Sequence, residues 1–266
     1  MRQNTLLEKI QGGQILIGLG MMYPAPGIIE GMCNGWDFVW VDAQHGQITY
    51  ETVLHAMRTA QAVDIESVLR VPSIERGTLG VFADVMPSAI MAPMVNNAAD
   101  AKNSVAGLRF PPLGQRSYGS RRTVDLHGRE YLIEHKMMLI AQIETPEGVD
   151  QAEQIIGTEG VDMLFFGPDD MKVRMNIPIN APPTEHAKLR AAMERTAQIA
   201  RAAGKSSGTI ASSPKMAKMA IDMGYQLLVG GNDAGFLETA SAHRLAELRD
   251  LIDTEKPDRK QSNSTK

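Results

Sequence analysis

The sequence predicts a single α/β domain, a closed (β/α)8 or TIM barrel, on three observations. The chain has 266 residues, close to the roughly 250 that such a barrel needs. Eight short apolar segments alternate with amphipathic segments along it, the pattern of a parallel sheet covered by helices. Gly18 and Gly20 lack the third glycine of a dinucleotide-binding turn, which disfavours a doubly wound sheet.

The eight expected strands are runs of apolar residues that end at polar residues, glycine or proline. Segment 38–42 reads Phe-Val-Trp-Val-Asp, apolar up to its last residue, as expected for a parallel strand with both faces covered. The expected strands are residues 14–20, 38–42, 67–71, 89–94, 137–143, 161–166, 206–211 and 226–229.

Helices are expected between the strands, where apolar residues recur at three- and four-residue spacing. Thr49 is an expected N-cap, and Thr184 is expected to cap a helix that ends at Gly204. The other expected helices are 27–33, 76–85, 98–107, 128–135, 146–156, 214–223 and 234–253. Expected loops, rich in proline, glycine or polar residues, are 110–123, 167–170 and 178–183. One barrel therefore occupies residues 1–253, and the polar tail 254–266 is expected to be disordered.

Composition excludes several classes of function. The net charge is −4 and no basic block is present, so nucleic acid is not an expected partner. No apolar run approaches the roughly 20 residues of a membrane helix, and the first residues do not form a signal peptide, so a cytoplasmic protein is expected. The single cysteine, Cys33, excludes an internal disulfide and a cysteine-based zinc site; it is expected to be buried and inert.

The candidate site residues lie where strands end, at the mouth of the barrel that carries the active site in such folds. Glu144 and Asp170 follow neighbouring strands, and two carboxylates from neighbouring strand ends make a natural site for a hard divalent cation. The loop that begins at Gly167 offers backbone N–H groups to an anion. The polar residues at these positions are Asp42, His45, Arg70, Gln142, Glu144, Asp169 and Asp170.

Structural roles are alternatives at each of these positions. Glu144 and Asp170 would also serve as ion-pair partners or helix caps. Arg70 lies inside a buried strand, where an arginine is costly unless it is paired. Asp42 lies three residues before His45 and is expected either to orient its imidazole and fix the tautomer or to cap a turn. The remaining histidines are expected to be surface or packing residues: His55, His127, His135, His186 and His243.

Six ordered blocks of the sequence form a recognisable pattern: residues 42–46, 70–72, 93–98, 109–116, 142–145 and 160–170. Together they resemble the HpcH/HpaI aldolase family, and the resemblance covers about residues 13 to 250. Members of this family are class II, metal-dependent pyruvate aldolases of 4-hydroxy-2-oxo acids, such as 4-hydroxy-2-oxoheptanedioate aldolase and 2-dehydro-3-deoxyglucarate aldolase. The resemblance implies a barrel of the phosphoenolpyruvate/pyruvate type, with the last helix exchanged between subunits of a homohexamer.

The resemblance also implies roles for individual residues. Glu144 and Asp170 match the ligands of a divalent metal, usually Mg, Mn or Co. Gln142 matches a residue just outside the metal. Arg70 matches the arginine on the keto oxygen of the substrate.

Two further roles are implied around the substrate. His45 and Asp42 match the pair that handles the proton. The backbone from Gly167 through Pro168 to Asp169 and Asp170 would hold the carboxylate of pyruvate.

The expected activity is therefore carbon–carbon bond cleavage or formation through a pyruvate enolate, with pyruvate and an aldehyde as the small-molecule partners. No lysine lies at the strand ends, which argues against a Schiff-base aldolase. A β-keto acid decarboxylase acting on oxaloacetate would use the same enolate and is one alternative. A barrel that binds an oxo acid without turning it over is another.

Four positions depart from the family pattern. Gln44 stands where many members have glutamate, and a neutral amide cannot act as a carboxylate. Ser117 replaces a glycine, and Met171-Lys172 replaces a Leu-Ser pair. These changes leave the metal pair intact but affect the expected substrate, and Gln44 keeps the binding-protein alternative open.

Overall fold

The computed structural model describes residues 4–254 and contains a closed barrel of eight parallel strands, each paired with its sequence neighbours. The predicted barrel and all eight predicted strands are confirmed, with small shifts at their ends. The strands are β1 (Leu16–Met21), β2 (Phe38–Asp42), β3 (Glu66–Arg70), β4 (Ala89–Ala92), β5 (Met138–Ile143), β6 (Met163–Phe166), β7 (Ser206–Ile210) and β8 (Leu227–Asn232).

Thirteen α-helices surround the barrel or close its ends in the described part of the chain. They are α1 (Thr5–Gln11), α2 (Gly27–Met32), α3 (Tyr50–Ala62), α4 (Arg76–Ala83), α5 (Ala98–Leu108), α6 (Arg121–His127), α7 (Tyr131–Glu134), α8 (Pro146–Asp150), α9 (Ala152–Gly157), α10 (Pro168–Arg174), α11 (Ala187–Ala202), α12 (Pro214–Met223) and α13 (Asp233–Thr254). A 3₁₀ turn, Pro183–Glu185, precedes α11. The N-cap predicted at Thr49 is confirmed, because its side chain accepts from the Thr52 N–H.

The barrel is filled by large side chains from alternate strand positions. Phe38, Met138 and Phe165 belong to one buried apolar cluster inside the strands, the layered packing expected of such a barrel. Leu6 and Ile10 of α1 belong to the same cluster. Helix α1 therefore closes the amino-terminal end of the barrel, which leaves the opposite end as the open mouth.

Several predicted elements were wrong in detail. Helix α1 was not predicted. The expected loop 110–123 runs into the first residues of α6. Of the expected helix 128–135, only Tyr131–Glu134 is helical, as α7, because α6 ends before Gly128, where φ is +88°. The expected helix 146–156 is divided into α8 and α9. Thr184 lies in the 3₁₀ turn, and His186 occupies the N-cap position of α11.

Helix α13 extends away from the barrel that it follows. Of its 22 residues only Asp233, the first, is buried. The helix ends at Thr254, the first residue of the predicted tail; residues 255–266 of that tail lie outside the described residues. Large apolar side chains exposed along α13 are Phe236, Leu237, Leu245, Leu248, Leu251 and Ile252.

No helix in residues 4–254 combines the length and the apolar character needed to cross a membrane. Cys33 is buried, as predicted, and burial raises the pKa of its thiol to about 11.

Candidate active site

The carboxyl ends of β2 and β3 bring the first pair of predicted site residues together. In the parallel register between these strands, Asp42 lies beside Arg70. The Arg70 Nε donates to Asp42 Oδ1 at 2.8 Å and its Nη2 donates to Oδ2 at 2.5 Å. Both side chains are buried, and the two parallel bonds form the fork that favours arginine over lysine.

The contacts of Asp42 distinguish its two expected roles. Asp42 was expected either to orient the imidazole of His45 or to cap a turn, and in the structure both of its carboxylate oxygens bind the guanidinium of Arg70. Its Oδ1 also accepts the backbone N–H groups of Gln44 and His45 at 3.1 and 3.3 Å. Asp42 therefore fixes the backbone of the turn that carries His45, and the imidazole lies on the exposed side of that turn.

The indole ring of Trp40 stacks against the guanidinium of Arg70. The guanidinium carbon lies 4.7 Å from the centre of the ring, a cation–π distance. Trp40 is buried, two residues before Asp42 on the inward face of β2, so β2 supplies both the counter-ion and the stacking partner of Arg70. Sequence reasoning missed this role of Trp40, although the spacing of two along a strand was visible.

Glu144 lies just beyond β5 and is almost completely buried. Its Oε1 accepts the Met94 backbone N–H at 2.8 Å, and its Oε2 accepts from Gln142 Nε2 at 2.7 Å. The pKa of Glu144 is raised to about 7, mainly by burial. The Met94 N–H and Arg70 act to lower this pKa, and the negative charges of Asp170 and Asp42 act to raise it. A nearby cation would stabilise the ionised form of this buried carboxylate.

Met94 is a second residue that sequence reasoning missed. Its φ is +53°, a left-handed conformation uncommon for residues other than glycine. No sequence signal marks this conformation. The residue that adopts it is the one whose N–H donates to Glu144.

Gly167 permits the close approach of β6 to this carboxylate. A Cβ at this position would lie 2.8 Å from both Cβ and Oε2 of Glu144 and 2.9 Å from Gln142 Nε2. The distances are shorter than ordinary side-chain contacts, so any larger residue here would displace Glu144 or Gln142. The Oε1 of Gln142 is buried and has no hydrogen-bond partner in the described residues, which leaves an acceptor available in the site.

The predicted loop at 167–170 is instead the start of helix α10, with Pro168 at its first turn. Proline there and acidic residues in the first turn are signals of a helix start. The two aspartates have different environments. Asp169 is exposed and its Oδ1 accepts from Lys172 Nζ at 3.0 Å, whereas the charge of Asp170 acts on Glu144.

The donor set fits a hard divalent cation. Glu144 and Asp170 provide carboxylate oxygens, the ligand type that magnesium and manganese prefer. Within residues 4–254, no group of three or more His, Cys, Asp or Glu side chains is arranged to hold a metal ion. The pair would therefore need oxygen ligands from substrate or water as well.

The barrel and the acidic and basic residues at its carboxyl-terminal mouth define a (β/α)8 enzyme of the kind whose active site lies at that mouth. The chain belongs to the HpcH/HpaI aldolase/citrate lyase family, whose model matches residues 28–240. The resemblance seen in the sequence is thereby confirmed, and membership supports carbon–carbon lyase chemistry.

Relatives of known name agree with this family. The 2-keto-3-deoxy-L-rhamnonate aldolase of Escherichia coli O17:K52:H18 is 25% identical over 252 residues, covering 92% of this chain and 93% of the relative. An HpcH/HpaI aldolase/citrate lyase family protein from Burkholderia cenocepacia J2315 has a TM-score of 0.85 at 27% identity, covering 93% of this chain and all of that one. The citrate synthase SbnG has a TM-score of 0.83 at 26% identity, covering 94% and 100% of the two chains.

Proposed function

We propose that this protein is a divalent-metal-dependent aldolase that cleaves or forms a carbon–carbon bond of a 4-hydroxy-2-oxo acid through a pyruvate enolate. The observation that carries the proposal is the pair of acidic side chains at adjacent strand ends, Glu144 and Asp170, whose charges interact beside the paired guanidinium of Arg70. The E. coli relative, named as an aldolase of a 2-keto-3-deoxy acid, supports the substrate class.

Glu144 and Asp170 would hold the cation, which is Mg, Mn or Co in this proposal. When bound, a divalent cation supplies Lewis-acid polarisation of the substrate carbonyl. The side-chain amide of Gln142 donates to the proposed ligand Glu144. Its Oε1, which has no hydrogen-bond partner in the described residues, could accept a hydrogen bond from water in the site.

Arg70 would place a fixed positive charge where the keto oxygen of pyruvate becomes negative. Its position is set before substrate arrives, because Asp42 binds two of its nitrogens and Trp40 lies against its face. Asp42 in this proposal acts on the reaction through Arg70 and through the turn at His45.

His45 would take the methyl proton of pyruvate and return it in the reverse direction, as general base and acid. The exposed imidazole is accessible from the mouth. The carboxylate of pyruvate would lie against the backbone from Gly167 to Asp169; Pro168 has no N–H, so the donors there would be at the following residues of the first helical turn.

The assembly and location remain predictions. The leucine-rich face of α13 is exposed in a single chain, which supports the proposal that this helix packs on a neighbouring subunit of a homohexamer. A large exposed apolar surface marks an interaction site in soluble proteins. Sedimentation or light scattering measures the number of subunits. The expected location is the cytoplasm.

Deuterium uptake into the methyl group of pyruvate tests the function without knowledge of the aldehyde. The protein is incubated with pyruvate in heavy water with Mg²⁺, and in parallel with a chelator. We expect uptake that requires the metal and falls by about 100-fold or more in Glu144→Gln. Glu153→Gln, on the exposed surface of α9, is the matched control and should be fully active.

The result also separates the alternatives. No uptake with any divalent metal would contradict the proposal and favour an oxo-acid-binding barrel. If uptake is seen, products from candidate oxo acids are analysed next. An aldehyde released with pyruvate supports the aldolase, whereas carbon dioxide released with pyruvate from oxaloacetate supports the decarboxylase.

A further inference from the structure

Asp233 is a completely buried carboxylate at the junction of β8 and α13. Its Oδ1 accepts the N–H groups of Met22 at 2.8 Å and Ala234 at 2.8 Å, and its Oδ2 accepts the N–H of Tyr23 at 3.0 Å. All three of these donors are backbone amides. A buried charge is costly unless it is hydrogen-bonded, and two of the amides that stabilise this carboxylate belong to Met22 and Tyr23, which follow β1. The same hydrogen bonds fix the backbone of that segment.

The peptide unit between Met22 and Tyr23 connects Asp233 to the turn that carries His45. The Met22 carbonyl accepts the N–H of Gln47 at 2.8 Å. In a planar trans peptide the C=O and the N–H of the next residue point in opposite directions. One rigid plane therefore has Asp233 on its N–H side and Gln47 on its carbonyl side.

The turn that carries His45 packs closely against this peptide plane at Gly46. A Cβ on Gly46 would lie 3.0 Å from the Met22 carbonyl oxygen and 2.4 Å from the carbonyl oxygen of Asp42. The Gly46 N–H also donates to the Asp42 carbonyl at 3.1 Å. Asp42 thus fixes one side of the turn and the Met22 carbonyl fixes the other.

We propose that Asp233 is a positioning residue for His45, acting through the Met22–Tyr23 peptide plane. This inference assigns a role in the proposed reaction and so rests on the proposed function for its catalytic part. A carboxylate suits the task because its two oxygens bind the N–H groups of two consecutive peptide planes, which fixes the orientation of the Met22–Tyr23 plane relative to the plane before it. The first residue of α13, a helix remote in sequence, thereby sets the geometry of the proton-transfer group.

Asp233→Asn tests the inference because it keeps size but offers only one oxygen to the two amides. We expect faster amide hydrogen exchange at Tyr23 and at Gln47, by about 10-fold or more, in the full-length protein. We further expect kcat for deuterium uptake into pyruvate to fall about 10-fold or more. The KM for pyruvate and the Kd for Mg²⁺ should stay within about twofold, since Arg70 and Glu144 are held by hydrogen bonds to Asp42, Met94 and Gln142.

Glu66→Gln is the matched control. Glu66 is a buried carboxylate at the opposite end of the barrel, where Thr5 and Ser88 hydroxyls donate to it. This variant is expected to lose stability without changing the Gln47 amide or kcat per folded molecule. If Asp233→Asn does not fold, Asp233→Ser, which keeps a single hydroxyl acceptor, replaces it in the same measurements.

Three outcomes would overturn the inference. A Gln47 amide that stays protected while Tyr23 is released would show that the peptide plane does not transmit the constraint. An unchanged kcat with a released Gln47 would show that the turn does not position His45. A fall in kcat that matches the fall in folded protein would leave Asp233 a purely structural residue. Wild-type protein without deuterium uptake would contradict the proposed function, and the amide exchange would still decide whether Asp233 holds the turn.

Discussion

Asp42 and Arg70 form a bidentate ion pair, 2.8 and 2.5 Å in length, at the carboxyl ends of two neighbouring strands. Both side chains are buried, and the ring of Trp40 covers the guanidinium. The pair connects the fold to the chemistry, because the residue proposed to face the keto oxygen is oriented by a residue that also fixes the turn of His45.

Removal of either partner of this pair should be costly, and the losses of free energy of unfolding in the two single variants should not add. Asp42→Asn leaves a buried guanidinium without its counter-ion, and breaking a buried pair in this way costs about 3–5 kcal/mol. The double variant Asp42→Asn/Arg70→Gln should lose less than the sum of the two single variants. Urea unfolding measures all three free energies, and deuterium uptake into pyruvate should be lost in each.

An exposed ion pair provides the comparison. Asp222→Asn removes the carboxylate that pairs with Lys218 on the surface of α12, and such pairs contribute at most about 1 kcal/mol. Equal effects of Asp42→Asn and Asp222→Asn on the free energy of unfolding would contradict the structural role assigned to the buried pair.

Gly167→Ala should weaken metal binding without unfolding the protein. The added methyl would lie 2.8 Å from Glu144 Oε2, so the carboxylate proposed to bind the metal must move. We expect Mg²⁺ or Mn²⁺ affinity to fall by about 10-fold or more, because a displacement near 1 Å in such a site has effects of this size. Titration calorimetry measures the affinity, and circular dichroism monitors the fold.

Gly157→Ala is the control for this substitution. Gly157 ends α9, and an added Cβ there meets nothing within 4 Å. Its metal affinity should equal that of the wild-type protein. Wild-type affinity in Gly167→Ala would mean that Glu144 does not occupy the metal site proposed for it.

Much of the barrel was predictable because its strands are apolar runs of a distinctive length. Segment 38–42 was predicted with the bounds that the structure shows. Short helices were harder. Leu6 and Ile10 show only one helical repeat, which does not distinguish α1 from a loop. At α10 the Gly167-Pro168 pair is typical of a loop and also of a helix start, and the structure has the helix.

The sequence predicts which residues lie at the candidate site but not which of them contact one another. The expected roles of Asp42 were local ones, to orient His45 three residues away or to cap a turn, and the turn cap is present. Its ion-pair partner, Arg70, is 28 residues away and is brought there by the register of β2 and β3. Asp233 was not selected at all, since its partner Met22 is 211 residues distant. Pairing of this kind depends on barrel closure, which a single sequence does not specify.

The stability of the protein should depend on the ionisation of His135, which lies beside the closed end of the barrel. Burial lowers the pKa of His135 from its usual 6.5. The nearby charges of His127 and Arg116 also lower it, whereas the backbone of Pro87 and the charge of Glu66 raise it. The tyrosine hydroxyl of Tyr131 lies 3.1 Å from Nδ1. The folded state thus favours the neutral imidazole.

The sign of the pH dependence follows from this lowered pKa. Between the folded pKa and 6.5 the unfolded chain binds a proton at His135 that the folded chain does not, so unfolding is favoured as pH falls. The stabilisation is complete above 6.5 and is lost as pH decreases below it. We expect His135→Gln to lose less stability than the wild-type protein between pH 7.5 and pH 5, measured by urea unfolding at each pH.

His243→Gln separates this effect from the general response to acid. His243 lies on the exposed surface of α13 beside Glu247, so its replacement should leave the pH dependence close to that of the wild-type protein. An NMR titration of the imidazole protons gives an independent measure, with a midpoint for His135 below 6.5. A midpoint at or above 6.5, or identical pH profiles for His135→Gln and wild type, would show that burial of this imidazole does not favour its neutral form.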